Sequence, residues 1–122
     1  MPIVTVEVVT GGTGAMAQSL AQSLADAIGG ALESPPGQTW VRVRSIARDQ
    51  YAENEARLDA AELPVFVTIL KKQTPQRAEL EREVVALTAA VAQVVARPAT
   101  CVHIEYAPAG VGRLAFGGVL VQ

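Results

Sequence analysis

PIVTVEVV at residues 2–9 and PVFVTIL at residues 64–70 are two versions of one phrase, a proline heading a run of β-branched and apolar residues. Each reads as a strand, because Val, Ile and Thr suit a pleated surface and proline is tolerated as a strand's first residue. The segments behind the two runs are also alike. After the first come the turn glycines of GGTG (11–14), then Met16, Leu20, Leu24, Ile28 and Leu32 at every fourth position, one apolar stripe of an amphipathic helix. SPPG (34–37) stops that helix. TWVRVRSIAR (39–48) then alternates, with Trp40, Arg42, Arg44 and Ile46 on one face and Val41 and Val43 on the other. After the second run, Thr74 and Pro75 supply a cap and a first-turn proline. Leu80, Val84, Leu87, Val91 and Val94 form the stripe, and Pro98 ends it. TCVHIEY (100–106) is the answering strand, with Val102, Ile104 and Tyr106 on one face and Cys101, His103 and Glu105 on the other.

The chain is therefore an internal repeat of a β-α-β unit of roughly sixty residues. One domain over residues 1–122 is expected, with units at about 1–63 and 64–122. Aligning the units lays Pro2 over Pro64 and Arg42 over His103. A helix crossing between two strands implies a parallel pair, so the expected fold is α/β (α+β), a four-stranded mixed sheet with both helices on one face. Between the units, DQYAENEARLDAAEL (49–63) is a polar, acidic surface connector with a helical turn. Residues 3–9 and 64–70 read as apolar on both faces, and strands of that kind are normally covered on both. The chain has no further layer to supply the cover, which implies an oligomer.

Composition narrows the function classes. The 122 residues are 50% hydrophobic with a net charge of −2, a globular balance without the basic excess of a nucleic-acid binder. No apolar run approaches the roughly 18 residues of a membrane span. No basic segment leads into an apolar one as in a signal peptide, so a cytoplasmic protein is expected. Cys101 is the only cysteine and His103 the only histidine, so neither a disulfide nor a cysteine zinc cage is expected. Cys101 and His103 sit two apart on one strand face without a nucleophile elbow, a weak basis for a catalytic triad. GGTG lacks the Lys-Ser/Thr of a phosphate loop and reads as a tight turn.

Two features carry more chemistry. Arg42, between valines on a strand, is expected to be partly buried, and a buried guanidinium needs an anion such as a planar carboxylate. Arg44, Arg48, Lys71 and Lys72 add cations at strand ends and faces, where solvated charge is the common alternative. The second feature is Pro2. Either it merely starts a strand, or removal of Met1 frees it as a secondary amine, a base that needs no side chain.

PIVTVEVV, the proline-led repeat, VRV at 41–43 and the closing GVGRLAFGGVLV (110–121) together resemble the tautomerase superfamily of 4-oxalocrotonate tautomerase and macrophage migration inhibitory factor, over nearly the whole chain. The resemblance implies a homotrimer and a cofactor-independent tautomerase of a small 2-oxo or enol acid, with the N-terminal proline as general acid and base. Carried onto this sequence, Pro2 matches the catalytic proline and Arg42 the strand arginine that holds a substrate carboxylate. The first-turn helix arginine has no match, since Gly12 and Thr74 stand there with Lys72 and Arg77 nearby. Leu114 stands at the hairpin aromatic. The expected site is thus Pro2 as catalyst, Arg42, Lys72, His103 and Leu114 around the substrate, and no metal or cofactor. Two other readings compete: a catalytically silent binding or scaffold protein of the same fold, and a ferredoxin-like ligand-binding module, whose sheet would be antiparallel.

Overall fold

Four strands, β1 (Ile3–Thr10), β2 (Trp40–Ala47), β3 (Val65–Leu70) and β4 (Val102–Tyr106), form one sheet in the order β2–β1–β3–β4. The structure is a computed structural model that describes residues 1–11 and 17–122. Within each unit the strands are parallel, β1 with β2 and β3 with β4, because a helix carries the chain back between them: α1 (Leu20–Ala31) and α2 (Arg77–Val95). The units meet through the antiparallel β1–β3 ladder. Parallel pairing inside each unit excludes the ferredoxin-like alternative.

Register decides what the helices cover. Val4 lies opposite Val41 and Ile69, and Val6 opposite Val43 and Val67, so one face of the sheet is a valine and isoleucine surface. Leu24 and Ile28 of α1 and Leu87 and Val91 of α2 pack on it, all fully buried. Each such side chain contributes about 1.5–3 kcal/mol by leaving water, enough for a few positions per helix to fix both helices on that face.

The other face is mixed. Ile3, Phe66, Leu70 and Ile46 share it with Thr5, Glu7, Thr68, Arg42, Arg44, His103 and Glu105. The expectation of strands apolar on both faces is corrected accordingly: period-two alternation puts Thr5, Glu7 and Thr68 among apolar neighbours, all on one side. The repeat is also corrected by one residue. Matching face to face superposes Val4 on Val65 and does lay Arg42 on His103, but Pro64 then falls on Ile3, out of step with Pro2.

Local differences have local causes. Helix α2 starts at Arg77 with extended Gln76 before it, later than the Thr74–Pro75 cap expected, and Gln76 makes no side-chain capping bond. The chain ahead of it is held open because Lys71 and Lys72 give their carbonyls to the N–H groups of Gly110 and Val111. At the other end α2 stops at Val95, where Ala96 turns left-handed at φ 55°, just short of Pro98. The connector contains short helical turns at Arg48–Gln50 and Ala60–Glu62, and lays Tyr51 on Phe66 with ring centroids 5.7 Å apart. The closing hairpin pairs β5 (Ala115–Phe116) with β6 (Val119–Leu120). Gly117 and Gly118 both have positive φ, the backbone a two-residue turn of matching twist requires. Most of the GGTG turn, with Met16, lies outside the described residues. Among the described residues no helix is long and apolar enough to cross a membrane.

Candidate active site

Pro2 stands at the end of β1, half-buried, behind an exposed Met1. Its carbonyl accepts the Trp40 N–H at 3.1 Å, which ties it to the start of β2. On the other side Ile3 pairs with Leu70, so the antiparallel register carried one residue further sets Lys71 across from Pro2. Alternation also puts Pro2 and Lys71 toward the helix-covered side.

A wall is built over this end by residues 107–114. Ala107 N–H donates to Ile69 O at 2.8 Å, Gly110 N–H to Lys71 O at 2.8 Å and Val111 N–H to Lys72 O at 3.1 Å. Gly110 is buried, and a Cβ there would lie 3.2 Å from Leu114 Cδ2 and 3.3 Å from Lys71 O, so any side chain would crowd the closed loop. Leu114 is thereby packed against the loop that covers Lys71. The hairpin continues to Phe116, which meets Trp40 edge to face with centroids 5.2 Å apart. Such a pair is worth about 0.5–1.5 kcal/mol beyond its burial and anchors the hairpin beside the proline.

The lysine opposite Pro2 is not free. Lys71 Nζ lies 2.9 Å from Glu83 Oε1 on α2, and the Tyr106 hydroxyl donates to the other Glu83 oxygen. The Glu83 side chain is only 11% exposed, so both its oxygens are satisfied by these two groups in a largely dry seam. Burial, then the hydrogen bond to Glu83 and its charge, push the Tyr106 hydroxyl well above the ordinary tyrosine range, so it remains a donor. A polar cleft of about 360 Å³ opens between the end of α1 and the first turns of α2, with Lys71 and Glu83 in its wall.

Pro2, Lys72 and Leu114 thus come together at one end of the sheet, Lys72 exposed at the rim. Arg42 is a partial correction. It is exposed, not partly buried, because β2 is an edge strand with a neighbour on one side only. Its Nη2 donates to Thr5 Oγ1 at 3.3 Å, on the uncovered face two residues along from Trp40. His103 does not join Pro2 within the chain. It lies exposed against Phe66, centroids 5.6 Å apart, at the opposite end of β3 from Leu70. Four strand residues, about 13 Å, separate those ends.

Four residues of this region were not singled out as site residues from sequence: Glu83, Tyr106, Trp40 and Phe116. A signal for one was present, since Glu83 sits beside Val84 inside the apolar stripe of α2, where a carboxylate needs a partner. Among the described residues no three His, Cys, Asp or Glu side chains stand together as a metal site.

No family model and no curated protein matches this sequence. Solved structures do match its fold. A fused 4-oxalocrotonate tautomerase, solved as a symmetric trimer, superposes with a TM-score of 0.71 at 16% identity, over 98% of this chain and 94% of that one. Macrophage migration inhibitory factor from Oncomelania hupensis gives 0.73 at 16% identity, over 100% of this chain and 83% of that one. FG41 malonate semialdehyde decarboxylase, inhibited by 3-bromopropiolate, gives 0.66 at 15% identity over 94% and 90%. The chain has the tautomerase-superfamily fold that its repeat and its closing hairpin led one to expect.

Proposed function

We propose that this protein is a cofactor-independent tautomerase of a small 2-oxo or enol acid, with the Pro2 amine as general acid and base. The observation that carries the reading is the position of Pro2, half-buried at a strand end between the Trp40–Phe116 pair and the lysines that end β3. With Met1 removed, Pro2 offers a secondary amine. An ordinary α-amino group ionises near pH 7.7–8.0, and burial beside cations lowers that value toward the working range of a general base. The neutral amine accepts a proton from the carbon next to the substrate carbonyl, and the prolinium returns one to the enolate at oxygen or carbon. Lys72 and Arg42 hold the substrate carboxylate, while Trp40, Phe116 and Leu114 supply apolar walls.

In this reading residues 1–122 form one cytoplasmic domain that assembles as a homotrimer, the state in which the fused 4-oxalocrotonate tautomerase was solved. His103, too far from Pro2 in its own chain, reaches a substrate only at the Pro2 of a neighbouring copy. The test is a phenylenolpyruvate tautomerisation assay on chain freed of Met1. Catalysis by that form supports the reading, and its absence at high protein concentration overturns it. The second reading is a silent binding or scaffold protein. It applies to chain that keeps Met1, because the proline nitrogen is then an amide and cannot accept a proton.

A further inference from the structure

The largely covered Glu83 carboxylate at the proline end has no role in this proton transfer, although both its oxygens are engaged. We propose that Glu83 is a positioning residue: it grips the Lys71 ammonium with one oxygen and the Tyr106 hydroxyl with the other, and so sets how much positive charge the Pro2 amine meets.

Lys71 follows the last rung of the β1–β3 ladder, across from Pro2, and antiparallel neighbours stand about 4.5–5.5 Å apart at Cα. A flexible lysine there would spread its charge over many rotamers. Here Glu83 Oε1 holds the ammonium at 2.9 Å, and the lysine and carboxylate are 24% and 11% exposed. Glu83 is itself pinned by Tyr106 from β4, and Lys71 by the Gly110 N–H on its carbonyl. Three elements and one loop therefore converge on one ammonium. Among the described residues the other charged groups facing this spot are Glu79 and Arg82 on α2 and Glu33 after α1, which line the cleft that Lys71 and Glu83 enter, while Lys72 is exposed next along the chain. Glu83 alone among these carboxylates is in direct contact with Lys71 among the described residues.

The inference rests on a free Pro2 amine, as the proposed function does, but its consequence is an ionisation and not a rate. Lys71 disfavours prolinium, and Glu83 opposes it by drawing the ammonium toward α2 and offsetting its charge. Removing the carboxylate while keeping its shape, Glu83→Gln, leaves the ammonium uncompensated and lowers the titration midpoint of Pro2. Lys71→Met removes the cation and raises it. Charges at this range with partial screening by water give shifts of roughly half a unit or more.

The test uses the full chain freed of Met1 and labelled with 15N-proline, in which Pro2 alone carries an amine nitrogen. Its titration is followed by NMR in the wild type, Glu83→Gln and Lys71→Met, with thermal unfolding recorded for each. Opposite shifts, down for Glu83→Gln and up for Lys71→Met, establish the role, since a merely structural contact would not move the two in opposite directions. Unchanged midpoints, or shifts of one sign, overturn it. Should Glu83→Gln not fold, Tyr106→Phe releases one oxygen of the carboxylate, and a wild-type midpoint in that variant together with one in Lys71→Met overturns it equally. A wild type that shows the opposite shifts in its variants but no tautomerisation keeps this inference and removes the proposed function.

Discussion

The two proline-led strands begin alike and end up in opposite situations. Pro64 is fully buried, and its carbonyl accepts both the Val9 N–H at 3.1 Å and Arg97 Nη1 at 3.3 Å. Arg97 also reaches the Leu63 carbonyl at 3.0 Å, so the start of β3 is closed by a guanidinium from beyond the end of α2. Pro2 is half-exposed, with a backbone bond to Trp40, and the β1–β3 register carried one residue further sets Lys71 across from it. The one-residue difference in register puts the two prolines on opposite faces, and Pro64 is the one that other segments close over, Val9 of β1 and Arg97 from beyond α2. Pro64 falls with the residues of the uncovered face, whereas Pro2 falls with Val4 and Val6 toward the helices. One phrase serves as a sealed strand start in one copy and leaves a nitrogen open to chemistry in the other.

That contrast is broken most directly by taking Pro2 out of chemistry. Chain that keeps Met1 is expected to lose about 10²–10⁴-fold in kcat/KM for phenylenolpyruvate tautomerisation against chain freed of it, the usual contribution of a positioned acid-base group. Pro2→Ala without Met1 keeps a primary amine and retains part of the rate. Equal rates from processed and unprocessed chain would make the two prolines equivalent strand starts after all.

The repeat-related pair Arg42 and His103 sharpens the comparison next. Arg42→Ala is expected to raise KM by about tenfold to a hundredfold, a charge-assisted contact of about 1.5–3 kcal/mol, with kcat little changed. Unaltered KM and kcat in a folded variant would reduce Arg42 to its bond with Thr5.

How far the sequence could be read depends on the range of the forces involved. Alternation and four-residue stripes are local, and they located all four main strands and both helices; which face of β1 and β3 the helices cover is not legible in them, since both faces read as apolar in sequence. Pro2 and Lys72 can be placed at strand ends from their neighbours along the chain, whereas Leu114 rests on the resemblance of the closing segment to the family's hairpin. Whether a strand is central or at the edge is not local, so Arg42 was expected to be more buried than it is. Trp40 meets Phe116, and Glu83 meets Tyr106, only after distant segments dock. The start of α2 moved for a similar reason, since the hydrogen bonds that hold Lys71 and Lys72 extended come from residues 110 and 111.

At the sealed end, Arg97→Met should cost about 1 kcal/mol by withdrawing a donor from the Leu63 and Pro64 carbonyls. Urea denaturation reads the loss, and the tautomerase rate is expected to hold. A fall in rate matching the fall in stability would show that the two ends are coupled, not independent.

An effect of similar size concerns Tyr106, whose partner Glu83 belongs to the Lys71 end of the sheet. Burial, reinforced by the Glu83 carboxylate, raises its hydroxyl above the ordinary value of 10.0. A group whose pKa is raised by folding stabilises the fold fully below the unfolded value, and that contribution is lost as pH climbs above it, because the unfolded chain then gives up a proton that the folded chain keeps. Tyr106→Phe should therefore be less stable than the wild type by about 1 kcal/mol near neutrality, the worth of one hydrogen bond to a carboxylate that keeps its lysine. Between about pH 9 and about pH 11 the wild type should lose stability faster than the variant, and the gap should narrow. Denaturation midpoints measured across that window decide the matter: two curves that stay parallel would mean that neither burial nor the Glu83 carboxylate holds the folded tyrosine in its protonated form.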